Sequence, residues 1–425
     1  MDKINLEISS KKKNRVIVLF FIILSIGMLT GNVRLAGRMA MSNVFQIMGF
    51  VIILPVALKY LRNKDYIFII GYILSSLFAN LYVFSRYLVK PNITHFIFFL
   101  INIFTIIFFL RYSEKVKEVK FLITTYKVGI LILIVYLLFQ MVVEYFIEHH
   151  GYLSFGFDDK SHAVMICSFG AFFCLRWFKS IFRYILSAVF VILSLLTASK
   201  LAIVFVLFWG IALFLTRKQL SRIIRNNTDG LGLLRFYISV LLLISIIFGL
   251  LFFFYKNSDS FYIFDRLRDD NLSSGEISGS TESHLLLIWY GLESKFKDIV
   301  TFLFGIGPGN FSNFIFSNMS NIDYSKFQFL DPTGFVAISQ GRMPMHSVHF
   351  SILSEFPIFI FVSYVWLFVS ILKESICKKE YIMVLFFLSF IITTTFYSTH
   401  NEMIYYFIVL YFVITSFTKG KLKYN

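Results

Sequence analysis

Charged residues are scarce in this 425-residue sequence, since Asp, Glu, Lys and Arg together make up 15% of it. Hydrophobic residues make up 58%, which is enough apolar chain for about twelve membrane-spanning helices. The mean hydropathy of +0.76 means that these stretches cannot all be buried in one aqueous core, so a soluble domain is excluded. The net charge of +16 does not by itself indicate nucleic acid, because in a membrane protein the positions of Lys and Arg matter more than their sum.

Cysteine is also rare, with three residues in the chain. Cys167 and Cys174 lie in one apolar segment and Cys377 lies in a basic loop, so a disulfide framework and a CxxC metal site are excluded. The sequence shows no internal repeat and no low-complexity linker. Residues 1–425 are therefore expected to form a single polytopic membrane domain without a metal site.

Long apolar runs predict an all-α integral membrane protein with about twelve transmembrane helices. The runs lie at residues 16–32, 39–58, 66–84, 93–110, 127–147, 162–175, 184–197, 201–215, 236–255, 347–372, 381–397 and 403–417. A cytoplasmic N-terminus places 27 of the 40 Lys and Arg residues on the inner side, as the positive-inside rule requires. Both termini are therefore predicted to be cytoplasmic, and the first helix is predicted to be uncleaved because no small-residue cleavage site follows it.

The predicted topology gathers polar residues on the outer side of the membrane. All eight histidines fall there or at its interface, together with a 90-residue loop over residues 256–345. A loop of that length usually carries function. Within it, residues 283–296 and 299–304 are predicted to be helical, and the glycines of Gly305–Phe311 predict a tight turn whose N–H groups could cradle a phosphate or sugar oxygen. The alternative is a simple turn between two interfacial helices.

Several ionisable residues stand where the loop meets the membrane. Glu355 lies inside an apolar run, where a carboxylate is expensive unless it is paired or wet, so it is a functional candidate. His346 and His349 would share one face if the segment were helical, although each could simply sit at the water interface. Lys200, in the short turn between two spans, either snorkels to lipid head groups or faces a phosphorylated lipid. Other outer positions are Arg86, Lys90, His400, Asn401 and Glu402.

The order of these features resembles the O-antigen polymerase and O-antigen ligase superfamily of bacterial inner-membrane glycosyltransferases. The resemblance covers about residues 180–405 and rests on four elements: the turn Thr197–Lys200, a Trp289-containing helix, the GIGPGNF turn, and His346 followed by Glu355. The sequence also departs from the family pattern. Lys200 replaces an Arg, no loop Arg precedes Trp289 and His284 stands nearest that place, Ser347 replaces Asn, and Pro357 replaces Gly.

The resemblance implies an all-helical membrane glycosyltransferase of the C type, acting on undecaprenyl-diphosphate-linked oligosaccharide without nucleotide sugar, metal or other cofactor. It implies His346 as base or acceptor-orienting group and Glu355 as its partner or a sugar ligand. The implied diphosphate-binding residues are Lys200, Arg266, Arg268 and Arg342. The implied glycan and loop residues are His284, Trp289, Gly305, Gly307, Gly309, Asn310, His349, His400 and Asn401. Membrane lipids and a chain-length regulator protein are the expected partners, and nucleic acid is not.

Three alternatives remain open at the level of sequence. A ligase that moves the finished glycan to lipid A core uses nearly the same chemistry, and the polymerase is preferred because the chain lacks an Arg-rich loop. A flippase-type transporter would be expected to show two related halves and polar groups at the bilayer midplane, which the sequence does not show. A structural scaffold would not account for polar residues collected on one side.

Overall fold

The computed structural model describes residues 2–30, 33–35, 39–116, 120–147, 153–157, 160–197, 199–226, 279–318, 345–396 and 403–418. Helices dominate these ranges. Besides helices, they contain one two-residue antiparallel pairing of β1 (Arg34–Leu35) with β2 (Met39–Ala40), in which Arg34 faces Ala40. The described residues therefore form an all-helical protein with one minimal strand pairing.

The helices fall into two groups along the chain. The N-terminal group is α1 (Asp2–Leu29), α2 (Met41–Ala57), α3 (Asn63–Tyr87), α4 (Ile93–Lys115), α5 (Lys120–Val142) with a π-helical turn (Val143–Ile147), α6 (Lys160–Trp177), α7 (Phe182–Leu195) and α8 (Lys200–Asn226). The C-terminal group is α9 (Gly279–Lys295), α10 (Ile299–Phe304), α11 (Phe311–Ser317), α12 (Val348–Glu355), α13 (Ile358–Cys377), α14 (Tyr381–Thr395) and α15 (Met403–Phe417).

Four segments are long and apolar enough to cross a membrane. They are Asn63–Tyr87, Ile93–Lys115, Phe121–Tyr145 and Ile358–Cys377. On α3, large apolar side chains such as Leu74 and Leu81 are exposed, whereas Tyr72, Ser76 and Asn80 are buried. An apolar outer face and a polar inner face are expected of a helix in lipid. The apolar helices therefore indicate a multi-pass, membrane-embedded protein.

The described residues belong to two compact units. The first comprises those of Met1–Phe121, Ile277–Glu374 and Thr394–Asn425, and the second those of Leu122–Glu276 and Ser375–Thr393. In the second unit α6 is buried from His162 to Arg176 and packs on α7. The Arg176 guanidinium Nε lies 3.3 Å from a carboxylate oxygen of Glu380, so that both buried charges are paired.

Each predicted span within the described ranges overlaps a helix, but the span predicted at 347–372 is wrong as a single helix. It is two helices, α12 and α13, which are separated at Phe356–Pro357. Phe356 has φ −108° and ψ 159°, because the residue before a proline is sterically disfavoured in the α conformation. The span predicted at 236–255 lies outside the described residues.

Of the predicted 256–345 loop, the structure describes residues 279–318, together with Met345. The helix expected at 283–296 is confirmed as α9, and the one expected at 299–304 is confirmed as α10. A third helix, α11, follows the glycine-rich turn. This part of the loop is therefore built of short helices joined by tight turns, and it belongs to the first unit.

Candidate functional site

The glycine-rich turn lies against the end of α12. The N–H of Gly305 donates to the Thr301 carbonyl at 2.8 Å, which closes α10, and the N–H groups of Ile306 and Gly307 donate to the Ser354 and Glu355 carbonyls at 3.1 and 3.0 Å. Because the helix ends at Glu355, these two carbonyls have no N–H partner within it. The turn and the broken helix therefore satisfy each other's backbone groups. We call Gly305–Phe311 together with Val348–Pro357 the turn–helix junction.

The Glu355 carboxylate strengthens the junction from within. One of its oxygens accepts from the Phe311 N–H at 3.0 Å, and the other accepts from the Gly309 N–H at 3.1 Å and the Ser351 hydroxyl at 3.4 Å. Glu355 is 3% exposed, and burial raises the pKa of its carboxyl group to about 7, although the hydrogen bonds from Gly309, Phe311 and Ser351 act in the opposite direction. Glu355 therefore holds the turn in place from α12.

Glycine is required in the turn for two reasons. Gly305 and Gly307 have φ of +76° and +90°, a region that disfavours side chains. A Cβ on Gly305 would also lie 2.5 Å from the Glu355 carbonyl oxygen, and one on Gly307 would lie 2.5 Å from Asn80 Oδ1. Any side chain on Gly305 or Gly307 would therefore collide with the Glu355 backbone or with Asn80, so the turn can pack this closely only with glycine at both positions.

The expectation that the turn's N–H groups are open to a phosphate or sugar oxygen is corrected by these bonds. Gly305, Ile306, Gly307, Gly309 and Phe311 donate to α10 or α12, as described above. The remaining N–H, on Asn310, donates to the Gly307 carbonyl at 3.2 Å, and Pro308 has none. Within the described turn, the N–H groups are consumed in building the junction.

Asn310 fixes the other side of the turn to α3 and to the α3–α4 connection. Its Nδ2 donates to Asn80 Oδ1 at 2.6 Å and to the Ile306 carbonyl at 2.8 Å, and its Oδ1 accepts from the Asn92 N–H at 2.9 Å. Neither Asn80 nor Asn92 was among the site residues predicted from the sequence. The one available sign was the spacing of Tyr72, Ser76 and Asn80, which repeats once per helical turn inside an apolar segment.

A buried lysine meets the same junction from α9. Lys295 is 0% exposed, and its Nζ donates to the Phe356 carbonyl at 3.0 Å, at the C-terminal end of α12. A cation suits that position, because the carbonyl end of a helix is its negative pole. Burial lowers the pKa of the Lys295 ammonium to about 8.

Asp298 ties the start of α10 to the end of α3. Its carboxylate caps the Thr301 N–H at 2.7 Å and accepts from the hydroxyls of Tyr82 and Tyr87 at 3.0 and 2.6 Å. Burial alone would raise the pKa of Asp298, but the hydrogen bonds from Tyr87, Thr301 and Tyr82 outweigh it and lower the pKa. Asp298 therefore stays ionised, and it anchors the loop helices to the membrane-embedded α3.

His346 and His349 do not share a helix face, which corrects the expectation for them. The helix begins at Val348 with Ser347 as its N-cap, and His346 precedes it with φ +56°. That left-handed conformation is strained for any residue with a Cβ. His349 lies on α12 with Nδ1 2.7 Å from the Tyr364 hydroxyl and Nε2 3.1 Å from the Thr394 hydroxyl, so the protein engages both of its ring nitrogens.

Apolar packing joins α9 to the junction. Leu287, Ile288 and Tyr290 belong to a buried cluster with Ile306, Phe311, Phe314, Ile315, Met345, Val83 and Val89. Gly291 allows this packing, because a Cβ there would overlap the Met345 side chain. Trp289 points away from the cluster and is 64% exposed. The backbone of His284 lies in α9, and its side chain is outside the described residues.

Six predicted site residues remain, and the structure describes one of them. Lys200 is the exposed first residue of α8 and belongs to the second unit. The other five predicted residues lie outside the described residues: Arg266, Arg268, Arg342, His400 and Asn401.

The comparisons with known proteins add no identification. No protein-family model matches the chain, and no curated protein matches it significantly. Function must therefore be argued from the residues themselves.

Proposed function

We propose that this chain is a polymerase that joins undecaprenyl-diphosphate-linked oligosaccharide repeat units on the outer face of the bacterial cytoplasmic membrane. The observation that supports the proposal is the turn–helix junction. It unites the GIGPGNF turn and Glu355, two elements of the resemblance that are more than 40 residues apart in sequence, and it places His346 at the opposite end of the short α12. The proposal includes about twelve spans, cytoplasmic termini and an external loop at 256–345.

The proposed reaction is a displacement at the anomeric carbon of the growing chain. A hydroxyl of the incoming unit forms the new C–O bond while the bond to the diphosphate breaks, and the hydroxyl proton passes to His346 as general base. The electron pair leaves with undecaprenyl diphosphate, whose growing negative charge needs nearby cations. Lys200, Arg266, Arg268 and Arg342 are proposed for that role. Membrane lipids and a chain-length regulator protein are proposed partners.

The structure supports a specific division of labour between His346 and Glu355. Glu355 is occupied by the turn, so in this proposal it holds the junction and acts on His346 through α12. His346 has a strained backbone next to the N-terminus of that helix, and such strain is concentrated at functional positions. His346 is thus the residue proposed to meet the acceptor hydroxyl.

The experiment compares surface glycans of a strain lacking this chain, complemented with wild type, His346→Ala or Glu293→Gln. Glu293 is an exposed residue of α9 and serves as the control. A polymerase predicts that the deletion and His346→Ala leave core carrying a single repeat unit, at normal levels of membrane-inserted protein. Normal chain lengths with His346→Ala would remove His346 from the mechanism.

The same comparison of surface glycans separates the polymerase from the ligase and the transporter. Core without any repeat unit, with polymer accumulating on the lipid carrier, would indicate the ligase. The break between α12 and α13 is the observation that favours a transporter, since discontinuous helices are common in transporters. A flippase predicts that lipid-linked single units accumulate on the cytoplasmic side, and an unchanged glycan pattern would contradict both enzyme proposals.

A further inference from the structure

His95 packs directly against the glycine-rich turn. It is the third residue of α4, and a Cβ on Gly309 would overlap its ring at Nδ1. Gly309 is held from both sides, because its N–H donates to Glu355 and its carbonyl accepts from Asn92 Nδ2 at 3.4 Å. The ring of His95 therefore has a defined position beside the junction. Nothing in the proposed mechanism uses this residue so far.

The hydrogen bonds of Asn92 determine where the His95 ring carries its proton. Asn92 is the N-cap of α4, and its Oδ1 accepts from the His95 N–H at 3.2 Å. Its other terminal atom is therefore the amide nitrogen, which lies 3.1 Å from His95 Nδ1. Because an amide nitrogen only donates, Nδ1 must accept. A neutral imidazole whose Nδ1 accepts has its hydrogen on Nε2.

The Nε2–H of His95 has no partner among the residues that the structure describes, and the ring is partly buried. Further donors lie close to His95 in the sequence. Lys90, with an exposed ammonium side chain, lies two residues before Asn92, and the exposed first residues of α4, Ile93 and Thr94, have N–H groups without a partner inside the helix. The start of a helix next to a lysine is an electropositive position, which suits an anionic oxygen.

We propose that His95 is a substrate-binding residue whose Nε2–H donates a hydrogen bond to a phosphate oxygen of the lipid-linked substrate beside the turn. The identity of the substrate as a lipid-linked diphosphate rests on the proposed function. The recognition of a phosphate oxygen rests on the Asn92–His95 geometry and on the position of both residues at the start of α4. The N–H groups of the glycine-rich turn are already hydrogen-bonded within the protein, so in this proposal His95 makes the phosphate contact in their place.

Two substitutions separate the two ring nitrogens. His95→Gln places an amide nitrogen near the position of Nε2 but lacks an acceptor at the position of Nδ1. His95→Asn places an acceptor within reach of Asn92 Nδ2 but has nothing at the position of Nε2. The purified full chain in phosphatidylcholine nanodiscs is titrated with farnesyl diphosphate and, as the phosphate-free control, with farnesol.

We expect His95→Gln to bind farnesyl diphosphate within about threefold of wild type and His95→Asn to bind it about tenfold or more weakly, as loss of one bond to a charged group implies. Thermal unfolding should show the opposite order, because His95→Asn keeps the bond to Asn92. The proposal is overturned if both variants bind alike, if the binding order is reversed, or if wild type binds farnesol as tightly as the diphosphate or binds neither. The surface glycan pattern tests the proposed function separately, so the two can fail independently.

Discussion

Glu355→Gln tests whether the buried carboxylate holds the glycine-rich turn. The carboxylate receives backbone N–H groups from Gly309 and Phe311 on different oxygens, at 3.1 and 3.0 Å. A glutamine has one oxygen and one NH2 group at these positions, so in either orientation one N–H of the turn faces another donor. That N–H loses its acceptor and remains buried.

The expected size of the effect follows from these bonds. A hydrogen bond to a charged group contributes about 1.5–3 kcal/mol, and a buried donor left without a partner costs about 1–3 kcal/mol. Removing a buried charge offsets part of this loss by lifting its desolvation penalty. The net loss in free energy of unfolding is therefore about 2–4 kcal/mol, at the high end of single-substitution effects.

The assay is denaturant unfolding of the purified chain, with hydrogen exchange of the Gly309 and Phe311 amides as a local measure. Both amides should exchange faster in Glu355→Gln. The control is Glu293→Gln, an exposed position where a change within about 0.5 kcal/mol is expected. Unfolding of Glu355→Gln at the wild-type midpoint, with both amides still protected, would refute the inference that the carboxylate holds the turn.

Gly305→Ala should destabilise the chain by about 2 kcal/mol or more, because φ is +76° and the new Cβ would collide with the Glu355 carbonyl. The control Gly210→Ala, in α8 with open space around the new Cβ, should stabilise the chain by about 0.5–1 kcal/mol. Denaturation midpoints of the two variants and wild type test both expectations. Lys295 binds its proton less tightly when folded, so wild-type stability should rise as the pH increases from about 8 towards 10.5, and Lys295→Met should lack this rise in unfolding experiments across that range. His346→Gly should keep the backbone conformation at φ +56°, which glycine adopts readily, yet should abolish long glycan chains on a gel.

Hydropathy predicts most of the helices that the structure describes, because a helix in lipid must satisfy its backbone polar groups internally and expose apolar side chains. The last helix illustrates this, since the run predicted at 403–417 coincides with Met403–Phe417. The break at Phe356–Pro357 was missed because both sides of it are apolar, so a hydropathy window averages across it. Pro357 itself was the available indication.

The candidate site could be predicted only in part. The glycines of the turn and the isolated Glu355 could be singled out from the sequence. Glycine loses more backbone entropy on folding than other residues, and a carboxylate in an apolar segment is unfavourable unless it is paired or solvated. Their pairing, and the contacts with Asn80 and Asn92, join residues 44 to 230 positions apart and arise only from tertiary packing. The engagement of the turn's N–H groups could not be predicted either, because most of their acceptors lie on α12, far away in the sequence.

The shared hydrogen bonds of the junction also constrain how the chain is made. During synthesis, the segment around Gly305–Phe311 leaves the ribosome about 45 residues before its partners on α12 exist. Until then the turn's N–H groups must be hydrated or bound by something else, and afterwards the carbonyls at the end of α12 need the turn before they can enter an apolar environment. The segment around Gly305–Phe311 can therefore complete its hydrogen bonds only after α12 has been synthesised.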